Sequence, residues 1–186
     1  MPRDWFRVIE EHEAVIRDLR SQAAVLDEIV EAILMGFRNG ARLYVFGNGG
    51  SAADAQHIAA ELLGRFRRDR RALPTIALTT DTSTLTAVAN DYAYDRVFSR
   101  QLEGLVRSGD LAWGLSTSGN SPNVLAGISA AVERGATAIG FTGATGGQLA
   151  AHCRFVFRAP HTQSDRIQEA HQLAYHYICE RVEDAI

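Results

Sequence analysis

The sequence of 186 residues contains no lysine: all 19 of its basic residues are arginine. Two classes of chemistry are excluded with it. A Schiff base needs a lysine amine, so lysine-dependent aldolases and pyridoxal phosphate enzymes drop out. A P-loop needs its lysine on the nucleotide phosphates, so that mode of binding drops out too. Cysteine is scarce. Cys153 and Cys179 lie far apart and form no CxxC pair, which argues against a disulfide framework and predicts a reducing compartment. No apolar run reaches the roughly 18 residues that a membrane helix needs. Residues 1–20 are charged throughout, with no signal-peptide core, so a cytoplasmic location is the expectation. Excess positive charge is missing as well. The formal net charge is −3, and non-specific nucleic-acid binding requires a concentrated basic surface. The one basic cluster, Arg65, Arg67, Arg68, Arg70 and Arg71, reads as a solvated loop after a helix.

What is present is a regular alternation. Residues 4–38 read as helical. Val25, Leu26, Ile29, Val30, Ile33, Leu34 and Phe37 form one apolar face, and Phe6, Ile9, Ile16 and Leu19 form a weaker stripe before it. Asn39-Gly40 closes the second helix with residues that tolerate a left-handed conformation. Two helices ahead of any strand need cover, and partner subunits are a good candidate. From residue 42, short apolar runs at Leu43–Phe46, Thr75–Leu78, Leu111–Leu115, Ala138–Phe141 and Phe155–Phe157 alternate with helical patterns near 51–66, 82–90, 94–106, 121–134, 146–151 and 164–184. This predicts a five-stranded parallel sheet covered on both faces. Proline is rare and no repeat or linker is evident. The chain therefore reads as one domain, 41–186, preceded by a helical segment, 1–40, used in association.

Four constellations carry polar chemistry. Gly47-Asn48-Gly49-Gly50-Ser51 joins a strand to a helix. Glycine lets the backbone approach a ligand, and Ser51 is placed to cap a helix whose free N–H groups attract an anion. The loop is not GxGxxG and has no acidic ribose reader at the expected distance, so dinucleotide binding is weakly supported. Ser116-Thr117-Ser118-Gly119-Asn120-Ser121 is a second such turn, with four hydroxyls that suit a phosphate without lysine. In a parallel α/β sheet both loops fall at the carboxyl ends of strands, where ligands bind. His57 and Glu61, four apart on the helix after the first loop, share a face. They suit either a metal or acid/base work. On the last helix Gln168, Gln172 and His176 follow one ridge. Gln168 and His176 are about 12 Å apart along its axis, which one metal can hardly bridge from a straight helix. A curved helix, long side-chain reach or a site shared between subunits would ease this. Asn90-Asp91 reads as a loop able to touch a sugar hydroxyl. His12, His152, His161 and His171 show no partner pattern and read as structural or solvated.

On these residues the sequence resembles the sugar isomerase (SIS) domain family and, within it, the phosphoheptose isomerases. The resemblance spans nearly the whole chain. It rests on 47–57 with Glu61, on Ala89-Asn90-Asp91, on 116–121, and on Arg166-Ile167-Gln168-Glu169 followed by His176. It implies a flavodoxin-like sheet (the SIS fold) and a homotetramer with active sites at subunit interfaces. It also implies conversion of D-sedoheptulose 7-phosphate to D-glycero-D-manno-heptose 7-phosphate, a first step towards nucleotide-activated heptose for surface glycans such as the lipopolysaccharide core. By the same resemblance Glu61 and His176 match the acid/base pair, and His57, Glu61, Gln168 and His176 match the ligands of one Zn²⁺ per subunit. Substrate-binding positions would be Asn48, Gly49, Gly50, Ser51, Glu61, Asn90, Asp91, Ser116, Thr117, Ser118, Ser121 and Gln168. Two rivals share the loops. One is a non-catalytic SIS-type regulator that binds the replication initiator, which has no need of Glu61 together with His176. The other is an isomerase of a different sugar phosphate, which differs in the walls of the sugar pocket.

Overall fold

The computed structural model describes residues 4–186. Five strands, β1 (Leu43–Gly47), β2 (Thr75–Ala77), β3 (Leu111–Leu115), β4 (Thr137–Thr142) and β5 (Phe155–Arg158), form one sheet in the order β2-β1-β3-β4-β5. Every pairing is parallel. β1 and β3 are buried at every position, as expected of strands sandwiched between helices. The helices are α1 (Trp5–Asp18), α2 (Ala23–Arg38), α3 (Gly50–Leu63), α4 (Thr82–Asp91), α5 (Ser99–Leu105), α6 (Pro122–Glu133), α7 (Leu149–His152) and α8 (Ser164–Asp184).

The core has two compartments, one on each face of the sheet. Ile29, Ile33 and Phe37 of α2, Ile58 and Leu62 of α3, and Tyr175, Ile178 and Val182 of α8 pack with Trp113, Phe141 and Phe157. On the other face, Val88, Phe98, Leu102, Val124 and Ile128 pack on Tyr44 and Phe46. α2 therefore spends its apolar face inside the chain, against α8 and β5, rather than on a partner subunit. Its amphipathic stripe is matched by unpaired sheet surface close by in the same chain. α1 differs: Trp5 is 70% and Phe6 77% exposed.

The sequence pattern holds with local exceptions. The segment read as one helix over 94–106 is a 3₁₀ turn at Tyr94–Arg96 and then α5, because Val97 and Phe98 are drawn into the core. α7 starts at Leu149 rather than 146, since Gly146 and Gly147 both have positive φ. No helix among the described residues is long and apolar enough to cross a membrane.

Candidate active site

The chain runs from β1 to β2 on one side and returns to β3 on the other, so the strand order reverses between β1 and β3. That is where ligands bind in open α/β sheets. Gly47 pairs with Leu115 at the ends of these strands, so the 48–50 and 116–121 loops emerge side by side. Asn48 Nδ2 donates to Asn123 Oδ1 at 2.8 Å, and Asn123 Nδ2 donates back to Asn48 Oδ1 at 2.8 Å. This reciprocal amide pair ties the first loop to the first turn of α6. Asn123 is buried; a core-facing asparagine one residue past a proline carries no local signature in sequence.

The hydroxyls of the second loop organise one another. Ser116 Oγ lies 2.9 Å from Ser121 Oγ and 3.5 Å from Ser118 Oγ. Ser121 precedes α6 as its N-cap residue, but its side chain engages Ser116 instead of the helix N–H groups. The first turn of α6 is thereby left without a side-chain cap from Ser121, as an anion site at a helix N-terminus requires. Ser51 is not a cap either. α3 begins at Gly50, after Gly49 at φ +56°, and Ser51 is buried inside the first turn. Thr117 Oγ1 meets Ser164 Oγ at 3.1 Å, joining this loop to the start of α8.

Asn90 and Asp91 form the last turn of α4, not a loop. They are exposed, and Asn90 Nδ2 donates to Asp91 Oδ1 at 2.9 Å. Tyr94, three residues on, donates its hydroxyl to Asn48 Oδ1 at 3.1 Å, which links this corner to the first loop.

α3 and α8 pack side by side in the same direction, and together they build the reactive group. His57 Nε2 lies 3.0 Å from Glu61 Oε1, and His176 Nε2 lies 3.4 Å from His57 Nε2. The three donor atoms fall within 4.8 Å of one another. Two imidazole nitrogens and a carboxylate oxygen converging in this way match the chemistry of a divalent metal that accepts nitrogen and oxygen. Burial, followed by the neighbouring His57, holds His176 below the ordinary histidine pKa, against the opposing pull of Glu61. This favours the neutral imidazole, the form able to accept a proton.

Gln168 meets α3 at a different turn. A Cβ on Gly50 would stand 2.5 Å from Gln168 Nε2, so a glycine is what lets this amide approach the first loop. Gly50 and His57 are two turns apart, about 10 Å along α3. Within this chain α8 thus sets Gln168 beside the loop and His176 beside His57 and Glu61, as the spacing along a straight helix predicted.

The arginine cluster is not wholly a solvated loop. Arg65, Arg67, Arg68 and Arg71 are exposed, but the Arg70 side chain is only 8% exposed and pairs with Glu183, itself 2% exposed, at 3.3 Å. Arg70 donates to the carbonyls of Glu61 at 2.7 Å, Leu62 at 2.8 Å and Gly64 at 3.0 Å. Glu183 accepts from the backbone N–H groups of Phe66, Arg67 and Arg68, each at 2.8 Å. Burial alone would raise the Glu183 pKa; these bonds and Arg70 outweigh it and hold the group below the usual range. The clamp closes the end of α3 behind Glu61 and sets the Phe66 ring 5.7 Å from that of His176.

A separate cavity of about 900 Å³ lies at the opposite edge of the sheet, lined by Glu31, Met35, Arg107, Asp110 and Phe155 among others. It sits at the amino ends of the strands and has no convergent set of donor atoms like that on α3 and α8, so volume alone does not identify the site.

Comparison with known proteins agrees with this geometry. The SIS domain family model matches residues 7–143. A phosphoheptose isomerase of Roseiflexus sp. (strain RS-1) is 51% identical over 98% of this chain and 95% of its own length. One from Aquifex aeolicus (strain VF5) is 48% identical over 97% and 94%. The solved phosphoheptose isomerase of Neisseria gonorrhoeae superposes with a TM-score of 0.86, at 41% identity, covering 96% of this chain and 93% of that one.

Proposed function

The chain belongs to the SIS domain family and, within it, to the phosphoheptose isomerases, and from that premise we propose that it interconverts D-sedoheptulose 7-phosphate and D-glycero-D-manno-heptose 7-phosphate with Glu61 and His176 as its proton-transferring pair. The observation that carries the residue assignment is the meeting of Glu61, His57 and His176 two to three turns along α3 from the loop that would hold the phosphate. The substrate carries its phosphate at the far end of the chain from its carbonyl, so the two ends need separate subsites. The loops and the α3–α8 group supply them.

Ser116, Thr117, Ser118 and Ser121 hold the phosphate by hydroxyl donors and the N-terminus of α6, in a chain with no lysine to offer. Asn48, Gly49, Gly50 and Ser51 line the near side, Gln168 reaches in over Gly50, and Asn90 and Asp91 lie at the sugar rim. Ketose becomes aldose when a proton moves from C1 to C2 through an enediol. With Oε1 turned to His57, Glu61 has Oε2 left to take the carbon-bound proton and return it to the neighbouring carbon. Neutral His176 takes and gives back the oxygen-bound proton as the carbonyl shifts.

His57, Glu61 and His176 would hold a zinc ion, which when bound polarises the carbonyl as a Lewis acid. Gln168, more than two turns earlier on α8 and set beside Gly50, would join them as a fourth ligand only across a subunit interface. The exposed Trp5 and Phe6 face of α1 supports association into a homo-oligomer, a tetramer in our reading, with the site completed at the interface.

The decisive experiment is direct. The purified protein, incubated with sedoheptulose 7-phosphate, should produce the aldose 7-phosphate by NMR. Turnover of fructose 6-phosphate in its place would overturn the heptose assignment. Chelation should reduce the rate at least about tenfold, with recovery on zinc addition; an unchanged rate throughout would remove the metal from the reaction.

A further inference from the structure

One buried group beside the site has no role in the chemistry above. Tyr175 is fully buried, and its ring centroid lies 4.7 Å from that of His176 and 5.4 Å from that of His57. Its hydroxyl lies 2.9 Å from His57 Nδ1 and 3.5 Å from Asp54 Oδ1. Asp54 stands one turn before His57 on α3, and its Oδ2 is buried without a hydrogen-bond partner among the described residues. A phenol has one proton to give. A carboxylate accepts only, while imidazole Nδ1 either donates or accepts.

We propose that Tyr175 is a positioning residue: its O–H donates to Asp54 and its oxygen accepts from His57 Nδ1–H, which fixes His57 in the tautomer whose Nε2 lone pair faces Glu61 and His176. The choice follows from what each partner can do. If the phenol donated to His57 instead, the half-buried carboxylate would lose the nearest donor it has, and leaving a buried acceptor unmatched is costly. His57 would then carry its proton on Nε2. It would donate to Glu61 Oε1, 3.0 Å away, but the Glu61 side chain is 20% exposed and can take water in its place, whereas Asp54 already has one buried oxygen with no partner. The same proton would also block Nε2 for a metal. The chain Asp54–Tyr175–His57 is thus a carboxylate-to-histidine relay with a phenol inserted. Metal-binding histidines commonly have their second nitrogen fixed by such an outer partner. Burial raises Asp54 to about 6, and the Tyr175 bond and His57 pull the other way; a carboxyl in that setting depends on the donor it has.

This inference concerns the tautomer of His57 and rests on the metal reading only for its consequence, so the test has two independent arms. The first is ¹⁵N NMR of the histidine-labelled full chain without metal. The wild type should show His57 protonated on Nδ1. Tyr175→Phe, which keeps the ring and the packing, should move His57 towards a tautomer mixture. Asp54→Ala leaves the phenol no acceptor but Nδ1 and should shift His57 to the Nε2–H form. The second arm is zinc affinity by competition with a chromophoric chelator, expected to fall about 10–100-fold in Tyr175→Phe. An Nε2–H wild type, or an unchanged His57 tautomer in both variants, overturns the relay. A wild type with the Nδ1–H tautomer that binds no zinc overturns the metal reading and leaves the relay standing.

Discussion

Glu61→Gln should lower kcat for the conversion of sedoheptulose 7-phosphate by about 10²–10⁴-fold, the range a positioned general base contributes, with the fold unchanged by circular dichroism. The amide is nearly isosteric and can turn its N–H₂ towards the His57 Nε2 lone pair, 3.0 Å away. It cannot take a proton from carbon. The main-chain carbonyl of Glu61 still receives Arg70, so the clamp at the end of α3 survives the change. An effect confined to KM would mean that the residue binds substrate but moves no proton. Activity within about tenfold of wild type would rule Glu61 out as the base. Because Glu61 also offers a ligand atom, zinc content should be measured beside the rate. A variant that keeps its metal and loses turnover separates the two roles.

Gly119→Ala should damage the phosphate loop more than any exchange of one hydroxyl there. Gly119 has φ +67°, and an added Cβ would stand 2.1 Å from the carbonyl oxygen of Gly146 and 2.8 Å from Thr142 Oγ1. Neither neighbour can swing away easily. Gly146 is backbone at φ +78°, and Thr142 ends a buried strand. Left-handed strain and overpacking together predict a loss of about 2–4 kcal/mol. At roughly 2–4 °C per kcal/mol for a chain of this size, Tm should drop by about 4–16 °C. KM for the sugar phosphate should rise, since Leu149 N–H donates to Gly119 C=O and the displaced loop drags its hydroxyls with it. Gly109→Ala is the control: φ is +92° there, but nothing lies within 4 Å of the added carbon. Equal Tm losses in the two variants would show that backbone strain alone, and not loop packing, is at work.

Much of the site was legible in the sequence because it lies on short, local patterns. The two strand-to-helix loops, and His57 with Glu61 on one helix face, depend on spacings of a few residues. The absence of lysine already pointed to hydroxyls and backbone N–H groups as the means of holding a phosphate. Element order followed the hydrophobic pattern closely, and the resemblance on 47–57, 116–121 and 166–176 supplied the family.

Other features needed the third dimension. Asn123, Tyr94, Tyr175 and Asp54 serve the site through partners 46 to 121 residues away in sequence, and a buried amide or phenol looks like any other core position until its partner is placed. Arg70 reads as one of five arginines in a charged loop; only the return of α8 brings Glu183 beneath it and turns it inward. The apolar face of α2 could have met a partner subunit, and the sheet of its own chain claimed it. The sequence by itself determined the alternation of strands and helices, the loops that can bind an anion, and the residue types that can move a proton. Tertiary structure alone decided that α3 and α8 run side by side, because that depends on packing between segments more than 100 residues apart. It is this packing that brings His176 to His57 and Glu61 while leaving Gln168 at the loop.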